Sequence, residues 1–278
     1  MGSVVTLAFA GNEYQVSAPE YGYTTKIVMP FHWQRKLPLG YSGFDDGTQR
    51  DIRIWSGSFI LTAAQATTFL NFYADADKGR GVNVGIRLPK NSGFTPFGPD
   101  KGDYGNYSVT VHDVVDSGML LTPYKHFSIK CNMTAHTYPS VSVPRVKTDG
   151  SFQIGTVTGL RFPEPWPQPA VDYAMDIQFT RNGTAKTIDR LAGSDHCETT
   201  LKMVCNRSRA YSLLYFLTNT ARTNDLTITT ASGTYLFGLE KGTSGVYTCQ
   251  WIDTELEVTH VNFDRYEFSP TFSLVSVA

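Results

Sequence analysis

The chain has 278 residues, 41% hydrophobic and 18% charged, enough apolar material to fill folded cores and too much for a disordered polymer. Its 24 basic and 25 acidic residues nearly cancel, so no basic excess exists to drive salt-dependent nucleic-acid binding. No apolar run is long enough to span a bilayer as a helix, and residues 1–10 lack the basic start of a secretory leader.

In chain order, the first strand-like run covers 23–29. A turn-rich stretch through Gly40, Gly43 and Gly47 follows, then a strand over 50–61 whose first part alternates apolar with polar residues. Thr62 is placed to cap a helix over 63–74, in which Ala66, Phe69, Leu70 and Tyr73 make one apolar face. Gly79 and Gly81 end it. A short strand at 82–88 leads into a long Gly/Pro/aromatic loop through Gly105. Strands at 107–115 and 126–135 then form a hairpin turned at Asp116-Ser117-Gly118.

Residues 139–169 include Pro139, Pro144, Pro163, Pro165, Pro167 and Pro169, with a short strand at 153–157. The 163–169 stretch favours polyproline II and reads as a stiff spacer. Beyond it the order of patterns recurs. A strand at 173–180 meets an Asn182-Gly183 turn, and a strand at 196–205 precedes a helix capped by Ser208 with Leu213, Leu214, Phe216 and Leu217 on its apolar side. Strands at 225–230, 234–239, 246–258 and 265–275 close the unit. The same ordered series twice predicts a duplication, with copies over 23–136 and 173–275. The corresponding domains are 1–137 and 171–278, joined by a Pro-rich linker over 138–170.

Chemistry-bearing motifs are sparse. His32, His112, His126, His136, His196 and His260 are scattered, and no zinc-protease, nucleophile-elbow or phosphate-loop signature occurs. Asp45-Asp46 before Gly47 reads as turn chemistry. The 75–79 stretch begins like a calcium loop, but its glycine falls one place early and the twelfth position holds no glutamate. Cys131, Cys197, Cys205 and Cys249 lie at irregular spacings and read as reduced thiols in strands. No catalytic residue, metal ligand or cofactor site is therefore predicted. What remains is the set of aromatics in or beside Gly-rich loops: Tyr41, Phe44, Phe94, Phe97, Tyr104 and Tyr107. A protein interface suits them better than a glycan site, with Phe94, Phe97 and Tyr104 as the candidate interface residues.

The series of segments 47–55, 63–74, 107–115 and 126–135 resembles the tail-tube domain of tailed bacteriophages, especially distal-tail and small minor-tail proteins of long-tailed phages. The resemblance covers both copies. It implies a mainly-β chain of two tandem β-sandwich-like tube domains, each with one flanking helix, and a structural role without catalysis. Such a protein forms a ring at the tail tip that continues the tail tube and joins it to hub, fibre or receptor-binding proteins. DNA passes through the lumen without specific binding. The implied oligomer is a trimer with a pseudo-sixfold ring or a hexamer, located in the virion tail after assembly in the host cytoplasm, with no membrane contact. Most distal-tail proteins follow one tube domain with a different accessory domain, whereas this chain repeats the tube pattern. The alternative is a carbohydrate-binding module or glycosidase of tandem β-sandwiches. Such a glycosidase needs two carboxylates about 5–10 Å apart across a groove.

Overall fold

Alternating burial, rather than helical periodicity, organises most of this chain, and the fold is mainly β. The structure is a computed structural model. It describes residues 4–9, 12–17, 22–29, 31–36, 40–45, 51–75, 79, 83–88, 94–102, 104–119, 126–139, 152–161, 170–172, 175–179, 185–189, 196–222, 224–230, 235–238, 245–262 and 264–277.

The chain opens with a hairpin of β1 (Val4–Phe9) and β2 (Asn12–Ser17), followed by β3 (Thr24–Val28). A separate hairpin of β4 (Phe31–Lys36) and β5 (Gly40–Asp45) precedes β6 (Ile52–Leu61). Helix α1 (Ala63–Ala74) comes next, then β7 (Asn83–Leu88), a 3-10 turn at Pro99–Lys101, β8 (Gly105–Met119) and β9 (Phe127–Thr137).

The same series then runs again. The hairpin is β10 (Phe152–Ile154) with β11 (Val157–Leu160), the single strand is β12 (Ala170–Asp172), and the second hairpin is β13 (Met175–Phe179) with β14 (Ala185–Asp189). β15 (His196–Thr200) and β16 (Met203–Asn206) lead directly into α2 (Arg207–Asn219), followed by β17 (Leu226–Thr229). Two bent strands close the chain, β18 (Val246–Trp251) with β19 (Glu255–Asn262), and β20 (Arg265–Phe268) with β21 (Thr271–Val277).

Pairing order repeats as well. Among the described residues, one sheet contains the run β3-β6-β9-β8-β7-β1-β2, and another runs β12-β15-β21-β18-β17-β10-β11. Each element of the first run meets its counterpart of the second in the same place. The difference is that the second set bends. After Thr200, Trp251 and Phe268 its strands change sheet, and β16, β20 and β19 join the first sheet in the order β16-β20-β19-β3.

Local chemistry accounts for the helices. Thr62 accepts the Gln65 backbone N–H while the Gln65 side chain returns to the Thr62 N–H, a capping box. Ala66, Phe69 and Phe72 then face one core with Trp55, Phe59, Val84, Val109 and Ile129. In α2 the cap is Asn206, not Ser208; its side chain accepts from the Arg209 N–H. Ala210, Leu213, Phe216 and Leu217 face a second core with Phe152, Cys197, Tyr247, Trp251 and Phe272.

Several sequence expectations shift. The 138–170 segment is not spacer alone, because it holds β10 and β11, whose Phe152, Ile154, Val157 and Leu160 are buried in the second core. Its end at 170 falls on β12, whereas the strand read at 173–180 is β13 of a separate hairpin. Asp116-Ser117-Gly118 is no turn: β8 continues to Met119, which pairs with Phe127. The strand expected at 234–239 is a turn at 235–238. The first hairpin, β1 with β2, had no counterpart in the sequence reading. The proline-rich 163–169 stretch lies outside the described residues.

Candidate assembly interface

The two sets of elements meet edge to edge. β3 belongs to the first set by sequence, and its other edge is taken by β19 of the second, with Leu256 opposite Ile27 and Val258 opposite Thr25. The ladder extends past the strand ends. His260 N–H donates to the Tyr23 carbonyl at 3.1 Å and Met29 N–H donates to the Thr254 carbonyl at 2.8 Å. Tyr23, Thr25, Ile27 and Met29 are all buried on one face of β3, but they divide between cores. Tyr23 packs in the first core, and Ile27 and Met29 in the second.

Polar contacts pin the same joint. The Tyr23 hydroxyl meets His260 Nδ1 and accepts the Thr95 N–H at 3.1 Å. Thr95 Oγ1 lies 2.8 Å from the Tyr266 hydroxyl, and the His260 ring stacks on Tyr266 at a 4.4 Å centroid distance. Thr25 Oγ1 donates to the Pro96 carbonyl at 2.8 Å. The 94–98 loop is thereby tied to β3 and to the β19–β20 hairpin together, and the 3-10 turn after it packs on α2.

Arg53 supports that loop from inside. Its guanidinium binds both Asp100 oxygens at 2.7 Å, the Phe97 carbonyl at 2.9 Å and Asp51. Arg53 and Asp100 side chains are fully buried, so the pair is bidentate and shielded from water. Burial pushes the Asp51 carboxyl up, but Arg53 and Lys101 outweigh it and hold it at about 2. Both carboxylates are thus engaged by one cation. A shallow groove of about 390 Å³ opens beside the joint, lined by residues such as Thr24, Ser56, Ser58 and Lys130, with no carboxylate in its lining.

The predicted interface aromatics behave otherwise. Phe94 and Phe97 are core residues, 3% and 0% exposed, packed edge-on against Tyr23 and Trp55 and tilted against Tyr107 respectively. Tyr107 is buried too, and Tyr104 alone of the three candidates is exposed, at 41%. Side chains of Tyr41 and Phe44 lie outside the described residues. His112 bonds Asp113 and Thr134, as a surface histidine does. All four cysteines are buried thiols outside any disulfide, and burial pushes the Cys131 and Cys205 thiols up to about 12.

The joint-forming loop carries a signal that the pattern reading missed. Residues 97–108 and 237–248 both read F-G-x-[DE]-K-G-x-x-G-x-Y-[ST]. Gly98 and Gly238 share the left-handed φ of +95° and +90°, and each N–H closes a turn onto the carbonyl three residues back. Phe97 meets Tyr107 at 5.6 Å, and Phe237 meets Tyr247 at 5.4 Å.

The class defined by these observations is a mainly-β protein in which one series of elements and one pairing order occur twice. No protein-family model matches the chain, and no curated protein matches it. A solved structure described as K. pneumonia MrkH in its apo state aligns over 99% of this chain and 79% of its own, at 9% identity and a TM-score of 0.16.

Proposed function

We propose that this chain is a structural component of a bacteriophage tail tip, a distal-tail or minor-tail protein. It forms a ring that continues the tail tube and joins it to hub, fibre or receptor-binding proteins. The observation that carries the reading is the β3–β19 joint between two sets of elements with the same pairing order. A contact between unlike edges of like units is heterologous, and when its rotation closes it generates a ring. Near-balanced charge supports a lumen that lets DNA slide without gripping it. No helix among the described residues is long and apolar enough to cross a membrane. The test is native mass spectrometry with electron microscopy of purified protein. Closed particles of threefold or sixfold symmetry are expected; a strict monomer at high concentration overturns the reading.

A further inference from the structure

We propose that a second copy of this chain rebuilds the β3–β19 joint between chains: β12 of one copy docks along the distal half of β8 of the next. The 235–238 turn of the first copy then seats on α1 of the second. This deepens the ring-forming reading and rests on it.

The correspondence follows from counting back from the helix caps, Thr62 and Asn206. Phe59 then matches Met203, Ile54 matches Glu198 and Arg53 matches Cys197. Lys26 pairs with Ile54 and Ala170 with Glu198, so Ala170 stands where Lys26 does. Ile129 pairs with Phe59 and Asp116, while Phe268 pairs with Met203 and Val258, so Asp116 stands where Val258 does. Val115 accordingly matches Glu257. Within the chain, Lys26 and Glu257 face each other across the joint. Their counterparts, Ala170 and Val115, are both exposed, Val115 at 55%.

Among the described residues, no strand of the same copy pairs with these edges. β12 is the terminal strand of its sheet among the described residues, and β7 pairs with β8 only along Gly105–Thr110, the half away from Val115. The helices differ in the matching way. In α2, which packs against the first unit's 3-10 turn, Tyr211, Leu214 and Leu217 are buried. Their α1 counterparts by the same count are Thr67, Leu70 and Tyr73; Thr67 is exposed and the other two are half-buried. The F-G turn that covers α2 recurs at 237–238 with the same left-handed glycine, and the repeat order assigns its seat to the α1 of the next copy.

The edge chemistry suits the contact. Odd-numbered residues of β3 turn their backbone groups to β19, as the Tyr23 and Met29 bonds show, and Ile27 is matched by Val171. By that match Val171 turns its N–H and C=O outward along the edge of β12 away from β15, as Ile27 does toward β19.

Two experiments on full-length protein test this. Ala170→Cys and Val115→Cys single variants, mixed and mildly oxidised, are expected to form an intermolecular disulfide, whereas Ala170→Cys with Val204→Cys, also exposed but off the joint, is not. Val171→Pro, which removes an outward donor at a sheet edge, is expected to dissociate the oligomer with unchanged circular dichroism. Rings that persist in Val171→Pro and fail to cross-link at 115–170 overturn this joint while leaving the ring reading standing. Absence of any oligomer in the unsubstituted protein overturns both.

Discussion

Arg53 and Cys197 occupy matching positions and answer the same need by different chemistry. Each donates to the carbonyl of the buried phenylalanine in its F-G turn, Arg53 Nη1 to Phe97 at 2.9 Å and Cys197 Sγ to Phe237 at 3.3 Å. The arginine brings charge, so it also needs Asp100 and Asp51 around it. Removing one member of such a buried set strands the others, and Arg53→Leu is expected to lower stability by about 3–5 kcal/mol in urea unfolding. Adding Asp51→Asn and Asp100→Asn to it should recover part of that loss, because the stranded charge is then gone. The pH profile follows from two aspartates shifted in opposite directions. Asp51 is held at about 2 against an ordinary 3.8, so its charged form stabilises the fold above that ordinary value. This contribution, about 2 kcal/mol, drains as pH falls toward the folded value. Asp253 is raised by burial in spite of the Thr271 N–H and the Trp251 indole that bond it. Its charged form opposes folding at neutral pH, and protonation relieves this as pH falls toward the ordinary carboxylate range. Stability should therefore peak in mild acid. Asp253→Asn, whose amide oxygen accepts the same two donors, should raise neutral-pH stability and flatten that side of the curve.

At the scale of elements, bends and turns separate what local pattern revealed from what it hid. β8 shifts register at Asp113 and its counterpart breaks between β18 and β19 at Asp253, and each aspartate reaches the same place on its neighbour: Asp113 to Asn132 at 2.9 Å, and Asp253 to Thr271 at 2.6 Å. Asp113 takes a left-handed φ of +53° to do so. Gly98 serves the F-G turn in a similar way, and there a Cβ would lie 2.7 Å from Arg53 Nη1 and 2.9 Å from Asp100 Oδ1. Gly98→Ala is expected to cost about 1–3 kcal/mol, combining left-handed strain with displacement of the buried pair, and thermal melts would read it directly. Helix α1, its Thr62 cap and the alternation in β3 and β6 were legible because a half-buried strand or helix writes its period into the chain. Phe94 and Phe97 were misread for the opposite reason. They lie in a Gly- and Pro-rich loop, where neighbours predict exposure, and only the fold-back over Trp55 and Tyr107 buries them. Within residues 152–160 the sequence offered one short strand at 153–157 where the structure has the β10–β11 hairpin, because strands of three and four residues are too short to show a period. The joint itself left no local trace, since Ile27 and Lys26 read alike whether their strand ends a sheet or continues one.

The whole molecule unfolds as the joint dictates. β3 lies between the two cores: Tyr23 is in one, Ile27 and Met29 are in the other, and backbone ladders run along both of its edges. Thr95 of the first set and Tyr266 of the second share a buried hydroxyl pair through the same region. Opening either core therefore pulls β3 out of the other and leaves its N–H and C=O groups without partners, which buried backbone does not tolerate. Two weakly coupled domains would melt separately; this arrangement predicts one transition. Differential scanning calorimetry of the full chain should give a single endotherm whose calorimetric and van't Hoff enthalpies agree. Ile27→Ala, made in a first-set strand but emptying second-core volume, sharpens the test. It should cost about 2–5 kcal/mol and shift that one endotherm without splitting it. A split endotherm, with only one half displaced, would mean that the two cores fold independently. The intrachain joint would then be a docking contact, not part of one cooperative fold.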